Sequence, residues 1–295
     1  MRVTSSMIFE SARLQTAAAR DAVMDAQDKV TNGKRVVHPG DDPGVVSSII
    51  AHSMSVQRFD TINQAVARAS DESDLADGAL QGVSTLLARA RELAVQLGND
   101  TYSASDRAGG AQEIKDISGQ IVILMNTQEG GRYLFGGNVD HTPPFDSSGN
   151  YAGDANTRQV EVAPGLFQNA SVRADVALKG VGGGVDVFAS LSALATALTN
   201  NDGAGVRGTL DNLAASTDQV TGALTQNGGI LDGFRSAANI GAAAHESATK
   251  LLSSVSEVDI FDAMSKLTQA QQGLEASLSV AAKSFNLNLL DFMPK

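Results

Sequence analysis

Two segments with a heptad pattern stand near opposite ends of the chain, and they constrain its fold more than any other feature. In the first, steps of three and four residues alternate through Phe9, Ala12, Thr16, Ala19, Val23, Ala26 and Val30. In the second, the same alternation joins Ile260, Met264, Leu267, Gln271, Leu274, Leu278, Ala281 and Phe285. Each pattern predicts a helix with one apolar stripe. Because an isolated helix is marginal in water, each stripe needs a partner: the other end, another part of the chain, or further copies.

The choice between an internal and an intermolecular partner is open from the heptads alone. Three features favour an intermolecular one: both stripes are terminal, both consist mostly of small or medium residues, and further apolar residues such as Met7, Leu14 and Leu287 lie off the stripe. A helix with two apolar faces suits a position among several neighbours. The predicted assembly surface comprises Phe9, Ala12, Ala19, Val23, Ala26, Val30, Ile260, Met264, Leu267, Leu274, Leu278, Ala281, Phe285, Leu289 and Leu290.

Composition excludes several classes of protein. With 295 residues, the chain is long enough for two or more domains. Its net charge of −11 and the lack of a basic run argue against a nucleic-acid partner. Cysteine is absent, so no disulfide or thiolate chemistry is expected. No stretch approaches the roughly 20 apolar residues of a membrane span, and the first ten residues lack the apolar core of a cleaved secretory signal. We therefore expect no membrane partner and no cleaved signal.

Proline and glycine divide the chain into long helical tracts around one irregular segment. Helices are predicted over 5–30, from Asp42-Pro43 through Leu97, over 105–130, 189–199 and 206–226, and over 230–290 with an interruption near Val258-Asp259. Between residues 132 and 188, alternation at 158–162 and 171–176 predicts strands and hairpins.

This order predicts a mainly α fold with a small β insertion. The expected architecture is an elongated bundle of long helices with terminal coiled-coil helices and a central, mostly β domain. The predicted regions are 1–45 plus 255–295 for assembly, 46–131 plus 189–254 for the helical bundle, and 132–188 for a β-rich outer domain.

Candidate chemical motifs favour turns over reactive sites. His38, Asp41 and Asp42 could bind a metal, but turn chemistry with an N-cap at Asp42 explains the same residues. Asp146, Asn150 and Asp154 resemble a calcium loop without its spacing. The four histidines are scattered and no phosphate-binding glycine motif is present, so we expect no catalytic, cofactor-binding or metal residues and no enzyme.

Several motifs in order resemble those of the bacterial flagellin superfamily. They are the start at 1–9, Thr31-Asn32-Gly33-Lys34-Arg35-Val36, Asp41-Asp42-Pro43, Asp106-Arg107 with Glu113, residues 131–137, and Asn288-Leu289-Leu290-Asp291-Phe292. The similarity covers about residues 1–137 and 230–295. Asn32, His38 and Gly40 depart from the family pattern, and the β insertion matches no family pattern.

The resemblance implies a structural flagellar protein, secreted unfolded through the flagellar type III apparatus and polymerising as an adaptor between hook and filament. Implied partners are further copies of the chain, the first hook-associated protein, flagellin, and an export chaperone at the C-terminal helix. A filament flagellin of the same superfamily is the alternative. A binding or enzymatic module in the β insertion is a more remote one.

Overall fold

The computed structural model describes residues 5–38, 40 and 42–290, and it leaves undescribed the side chains of 5, 6, 8 and 284–290. In chain order the elements are α1 (Ser5–Asn32), α2 (Pro43–Leu97), α3 (Ala104–Met125), β1 (Gln128–Glu129), β2 (Arg132–Tyr133), β3 (Gln159–Ala163), β4 (Leu166–Asn169), α4 (Ala174–Lys179), α5 (Val187–Thr199), α6 (Gly203–Gly208), α7 (Leu210–Ser256) and α8 (Ile260–Leu290). The predicted fold class, mainly α with a small β insertion, is confirmed.

The chain forms two compact units. One contains Met1–Arg58 with His245–Lys295, and the other contains Phe59–Ala244. The β strands lie within the second unit. The three regions expected from the sequence, with their boundaries, stay a prediction.

The apolar core lies in the second unit. On α2 the buried positions Leu80, Val83, Leu87, Ala90 and Ala94 step by three and four residues, so one side of the helix faces the core. Side chains from the other elements complete this core: Ile114, Ile117 and Ile121 of α3, Leu191, Leu194 and Leu198 of α5, Leu213, Val220 and Phe234 of α7, and Phe135 and Phe145 of the β segment.

The β segment consists of two short antiparallel pairs, β1 with β2 and β3 with β4. The strand predicted at 158–162 is present as β3. The strand predicted at 171–176 is wrong. The turn between β3 and β4 is at Gly165, whose φ of +79° favours glycine. Because the turn comes so early, the second strand of the hairpin, β4, already ends at Asn169. Residues 174–179 then form a short helix that ends at Gly180 in the left-handed conformation.

Two predicted helix boundaries are also wrong. The third helix stops at Met125 rather than near Gly130, because the Asn126 side chain pairs with both backbone groups of Phe145, at 2.8 and 3.0 Å. The expected break between Gln226 and Ile230 is absent. There Asn227 is buried, and its Nδ2 donates to the Ser73 carbonyl of α2 at 2.8 Å. This tertiary contact holds α7 helical through two consecutive glycines.

Candidate assembly surface

In the unit that contains both chain ends, α1 and α8 pack against each other in opposite directions. Ala26 lies with Ala263 in one groove between the helices, and Ala12 lies with Ala281 in another. On α1, Ala26 is buried and Ala12, Thr16, Ala19, Val23 and Val30 are half-buried. These are the residues of the predicted stripe, apart from Phe9, which is 47% exposed.

The face of α8 that meets α1 is displaced from the predicted stripe. It consists of buried Ala263 and half-buried Leu267, Ala270, Leu274, Ser277 and Ala281. Sequence reasoning missed Ala263, Ala270 and Ser277. Their spacing of seven residues was the available signal, but the larger apolar residues Met264 and Leu278, one position after Ala263 and Ser277, gave a stronger pattern.

The predicted stripe of α8 is therefore divided lengthwise. Leu267, Leu274 and Ala281 form its covered edge. Its other edge, which we call the α8 flank, consists of Ile260, Met264 and Leu278, which are 54%, 54% and 51% exposed. At 3.6 residues per turn, the centre of the predicted stripe lies about 50° around the helix from the centre of the covered face. Pairing with α1 thus leaves a row of apolar side chains on the surface.

Further exposed apolar side chains surround this helix pair. On α1 they are Met7, Leu14 and Met24, and on α8 the most exposed is Phe261, at 87%. A groove of about 570 Å³ runs between Phe9, Met24 and Leu278 and is lined mainly by apolar atoms. Phe285, Leu289 and Leu290 lie beyond the side chains that the structure describes.

The segment after α1 fixes the start of α8. Lys34 and Glu257 form an antiparallel bridge. Arg35 N donates to the Ser256 carbonyl at 2.8 Å, and Val258 N donates to the Gly33 carbonyl at 3.1 Å. The 33–35 loop thereby binds the chain at the break between α7 and α8. Asn32-Gly33-Lys34-Arg35 thus has a structural role in joining the two terminal segments.

Asp259 begins α8 as its N-cap. Its Oδ1 accepts from the backbone N–H groups of Phe261, at 2.9 Å, and Asp262, at 3.3 Å. The interruption predicted near Val258-Asp259 is confirmed, and its position sets where the α8 flank begins.

The carboxylates considered as metal ligands have backbone partners. Asp42 Oδ1 accepts from Val45 N at 3.2 Å and so caps α2. Asp146 Oδ1 accepts from Ser148 N and Asn150 N, and the hydrogen bond from the Asn150 side chain lowers the pKa of Asp146. Asp154 accepts in the same way from Asn138 N. Asp41 lies outside the described residues.

Neither a metal centre nor a membrane span is found in the described part of the chain. Within it, no three His, Cys, Asp or Glu side chains are grouped to hold a metal ion. None of the described helices has both the length and the apolar character needed to cross a membrane. The pair formed by α1 and α8 exposes apolar side chains at helical spacing, and such a surface suits docking of further helices.

Comparisons with known proteins show which proteins this chain resembles. Residues 3–140 match the family model of the bacterial flagellin N-terminal helical region. The chain is 31% identical over 167 residues to flagellar hook-associated protein 3 of Salmonella typhimurium, covering 55% of this chain and 53% of the relative. It is 35% identical over 107 residues to flagellin of Clostridium tyrobutyricum, covering 35% of this chain and 28% of the flagellin.

One solved structure shares the fold over most of its length. It is a Vibrio parahaemolyticus protein assigned as a flagellar hook-associated protein, with a TM-score of 0.66 and 22% identity, and the match covers 74% of this chain and 100% of that one.

These matches define a resemblance: over residues 3–140 the chain is similar to the N-terminal helical region of bacterial flagellins. Of the two relatives compared above, flagellar hook-associated protein 3 matches the longer stretch, 167 residues against 107. The chain spans about half the length of the curated hook-associated relatives that it matches.

Proposed function

We propose that this protein is a structural component of the bacterial flagellum that polymerises, through α1 and α8, as an adaptor at the junction between hook and filament. The observation that carries the proposal is the α8 flank, an exposed apolar row beside a helix pair that is already formed. The similarity to a flagellar hook-associated protein of Salmonella supports the location in the flagellum.

The α8 flank provides a driving force of useful size. Full burial of a Leu, Ile or Met side chain stabilises by about 1.5–3 kcal/mol, so covering the exposed half of each contributes about 1 kcal/mol. Ile260, Met264 and Leu278 together then contribute about 3 kcal/mol per subunit contact. Phe9, Met24 and Phe261 lie at the same helix pair and add to this area. Such a surface favours a polymer, where every copy repeats the contact.

The proposed partners follow from this position. They are further copies of the chain in a ring or helical layer, the first hook-associated protein on one side and flagellin on the other. We further propose export through the flagellar type III apparatus, with an export chaperone covering the C-terminal helix before assembly. The role is structural rather than catalytic.

A filament flagellin is the second candidate, because a flagellin matches part of the same chain. The longer match, 167 against 107 residues, favours the hook-associated role. Abundance separates the two: a junction adaptor is a trace component of purified flagella, whereas a flagellin supplies most of their mass.

The test compares two leucines four residues apart on α8, in a strain that lacks the native gene. Leu274 is half-buried against α1, and Leu278 is 51% exposed. We expect Leu278→Asp to leave the helix content of the purified chain unchanged but to abolish filament attachment, because assembly would bury an unpaired carboxylate. Leu274→Asp should lower both helix content and assembly.

Ser279→Asp is the matched control. Ser279 is exposed on the same turn of α8 as Leu278, so the substitution adds the same negative charge away from the α8 flank. Circular dichroism measures the helix content, and electron microscopy counts hooks that bear filaments. The deletion strain should show hooks without filaments and flagellin in the medium. Normal filaments on Leu278→Asp cells would show that the α8 flank is not an assembly surface.

A further inference from the structure

A small charged pocket opens where α2 meets the β segment, in the unit formed by residues 59–244. Its volume is about 210 Å³, and its charged lining residues are Arg68, Glu72, Arg132 and Arg158. Arg68 and Glu72 lie one turn apart on α2, Arg132 is in β2, and Arg158 immediately precedes β3. Three segments that are distant in sequence thus contribute charged side chains to one pocket.

Positive charge exceeds negative charge in this pocket. Glu72 is only 5% exposed, and each of its carboxylate oxygens accepts from one guanidinium: Oε1 from Arg132 Nη2 at 2.6 Å and Oε2 from Arg158 Nη2. Asp140 approaches Arg132 Nη1 at 3.9 Å, which is too long for a hydrogen bond. Three cations therefore face one fully engaged carboxylate and one distant one.

Two of the three arginines have unused donors. Arg158 Nε is buried and has no hydrogen-bond acceptor among the described residues. Burial of Arg158 also lowers its guanidinium pKa, because desolvation disfavours the charged form. Arg68 is exposed at the rim and forms no ion pair with the described residues. A buried guanidinium normally has each of its N–H groups satisfied, so Arg158 is short of one acceptor.

We propose that this pocket binds a small oxyanion, held by Arg158 and Arg132 at its base and by Arg68 at its rim. Guanidinium groups bind carboxylate, sulfate and phosphate through paired, charge-assisted hydrogen bonds. The volume restricts the ligand. Pockets for organic ligands span about 300–1,000 Å³, whereas this one has room for about seven waters at ~30 Å³ each. A single oxyanion group fits, and a nucleotide or sugar does not.

Two sources can supply that chemistry: a free inorganic anion, or an acidic side chain from a second copy of this chain. The chain carries 33 Asp and Glu residues against 22 Lys and Arg, so a neighbouring copy presents many carboxylates. Neither source depends on the flagellar role proposed above, because the pocket is complete within one chain.

The experiment follows the side-chain Nε–Hε resonances of arginine in the full-length, ¹⁵N-labelled chain during titration with inorganic phosphate at constant ionic strength. Those of Arg68, Arg132 and Arg158 should shift and saturate together. In Arg68→Gln the apparent Kd should rise about tenfold, since one charge-assisted hydrogen bond is lost. Arg91→Gln is the control, because Arg91 is also exposed on α2 but lies outside the pocket.

Each outcome is decisive. Saturating shifts that weaken in Arg68→Gln, but not in Arg91→Gln, support a site for a free oxyanion. Shifts of the same three resonances with protein concentration, in the absence of phosphate, support the acidic side chain of a second copy. Small linear shifts spread over all arginines, or an affinity that Arg68→Gln leaves unchanged, would overturn the proposal. Because the chain is studied unassembled, failure here says nothing against the junction role.

Discussion

At the scale of single residues, Glu72 links the α2 helix to the β segment through two arginines. In Glu72→Gln, the guanidinium of Arg158, which is 22% exposed, loses its counter-charge. Removing one partner of a buried ion pair costs about 3–5 kcal/mol, and the partial exposure of Arg132 places the expected loss at the lower end, near 3 kcal/mol.

Urea denaturation of the two proteins measures this loss. Glu113→Gln is the matched control, because Glu113 also pairs with an arginine, Arg89, at 2.8 Å, but on the surface. Exposed pairs contribute about 0–1 kcal/mol, so that variant should denature close to the native midpoint. Equal losses in both variants would contradict the assignment of Glu72 as a buried bridge.

Tyr151 gives the protein a specific sensitivity to alkaline pH. Its hydroxyl lies 3.1 and 2.9 Å from the carbonyl oxygens of Phe135 and Asp154, which share its single proton as acceptors. Burial, followed by the negative charges of Asp175 and Asp154, raises the pKa of Tyr151 to about 12. Since the pKa of an unfolded tyrosine is about 10, the folded state favours the neutral phenol.

The corresponding stabilisation is complete below about pH 10 and is lost as the pH rises towards 12. We therefore expect the urea midpoint of the native chain to fall more steeply between pH 10 and 12 than that of Tyr151→Phe, which has no such proton to lose. Parallel pH profiles of the two proteins would show that Tyr151 ionises equally easily in both states.

At the scale of elements, the sequence predicts which segments are helical better than which side of a helix is covered. The heptads identify α1 and α8, since a period of three and four residues has no other common structural meaning. They do not locate the covered face of α8. Ile260 and Met264 have the hydrophobicity of a core position, yet small Ala263 faces α1.

The element boundaries that were mispredicted depend on contacts between distant residues. The bond from Asn227 to Ser73 and the pairing of Asn126 with Phe145 decide where helices continue or stop. No local pattern indicates such contacts. The charged pocket was missed for the same reason, because Arg68, Arg132 and Arg158 are brought together only by the fold.

The glycines of α7 allow a direct test of how packing holds this helix. Gly229 is exposed with open space around it, whereas a side chain at Gly233 would overlap the amide of Gln168. That amide donates to the Ile230 carbonyl at 2.7 Å. We expect Gly229→Ala to stabilise the chain by about 0.5–1 kcal/mol, through helix propensity. Gly233→Ala gains the same helix propensity but displaces the Gln168 amide from Ile230, so its net stabilisation should be smaller by about 0.5–1.5 kcal/mol.

Thermal unfolding measures both variants, and each is the control for the other, because the chemical change and the helix are the same. An equal rise in Tm for both would mean that the Gln168 contact contributes nothing. A fall for both would mean that α7 requires glycine at 229 for a reason other than space.

At the scale of the whole molecule, the two units differ in the size of the apolar side chains that each buries inside itself. The second unit buries leucine, isoleucine and phenylalanine side chains from α2, α3, α5 and α7. In the unit that contains the chain ends, the buried apolar residues within the described part are three alanines, Ala26, Ala248 and Ala263. Alanine buries little apolar area, so this unit gains much less from the hydrophobic effect.

This difference predicts the pattern of native-state amide hydrogen exchange in the unassembled chain. Amides of α1 and α8 should exchange through local opening at a lower free energy than amides of α3 and α5, because fewer large side chains must separate. Assembly should then slow exchange in α1 and α8 selectively, since covering Ile260, Met264 and Leu278 adds the apolar burial that the single chain lacks. Exchange in the unassembled chain that is as slow in α1 and α8 as in α3 would contradict the proposed role of these helices, because a terminal pair already stable alone would gain little from a neighbour.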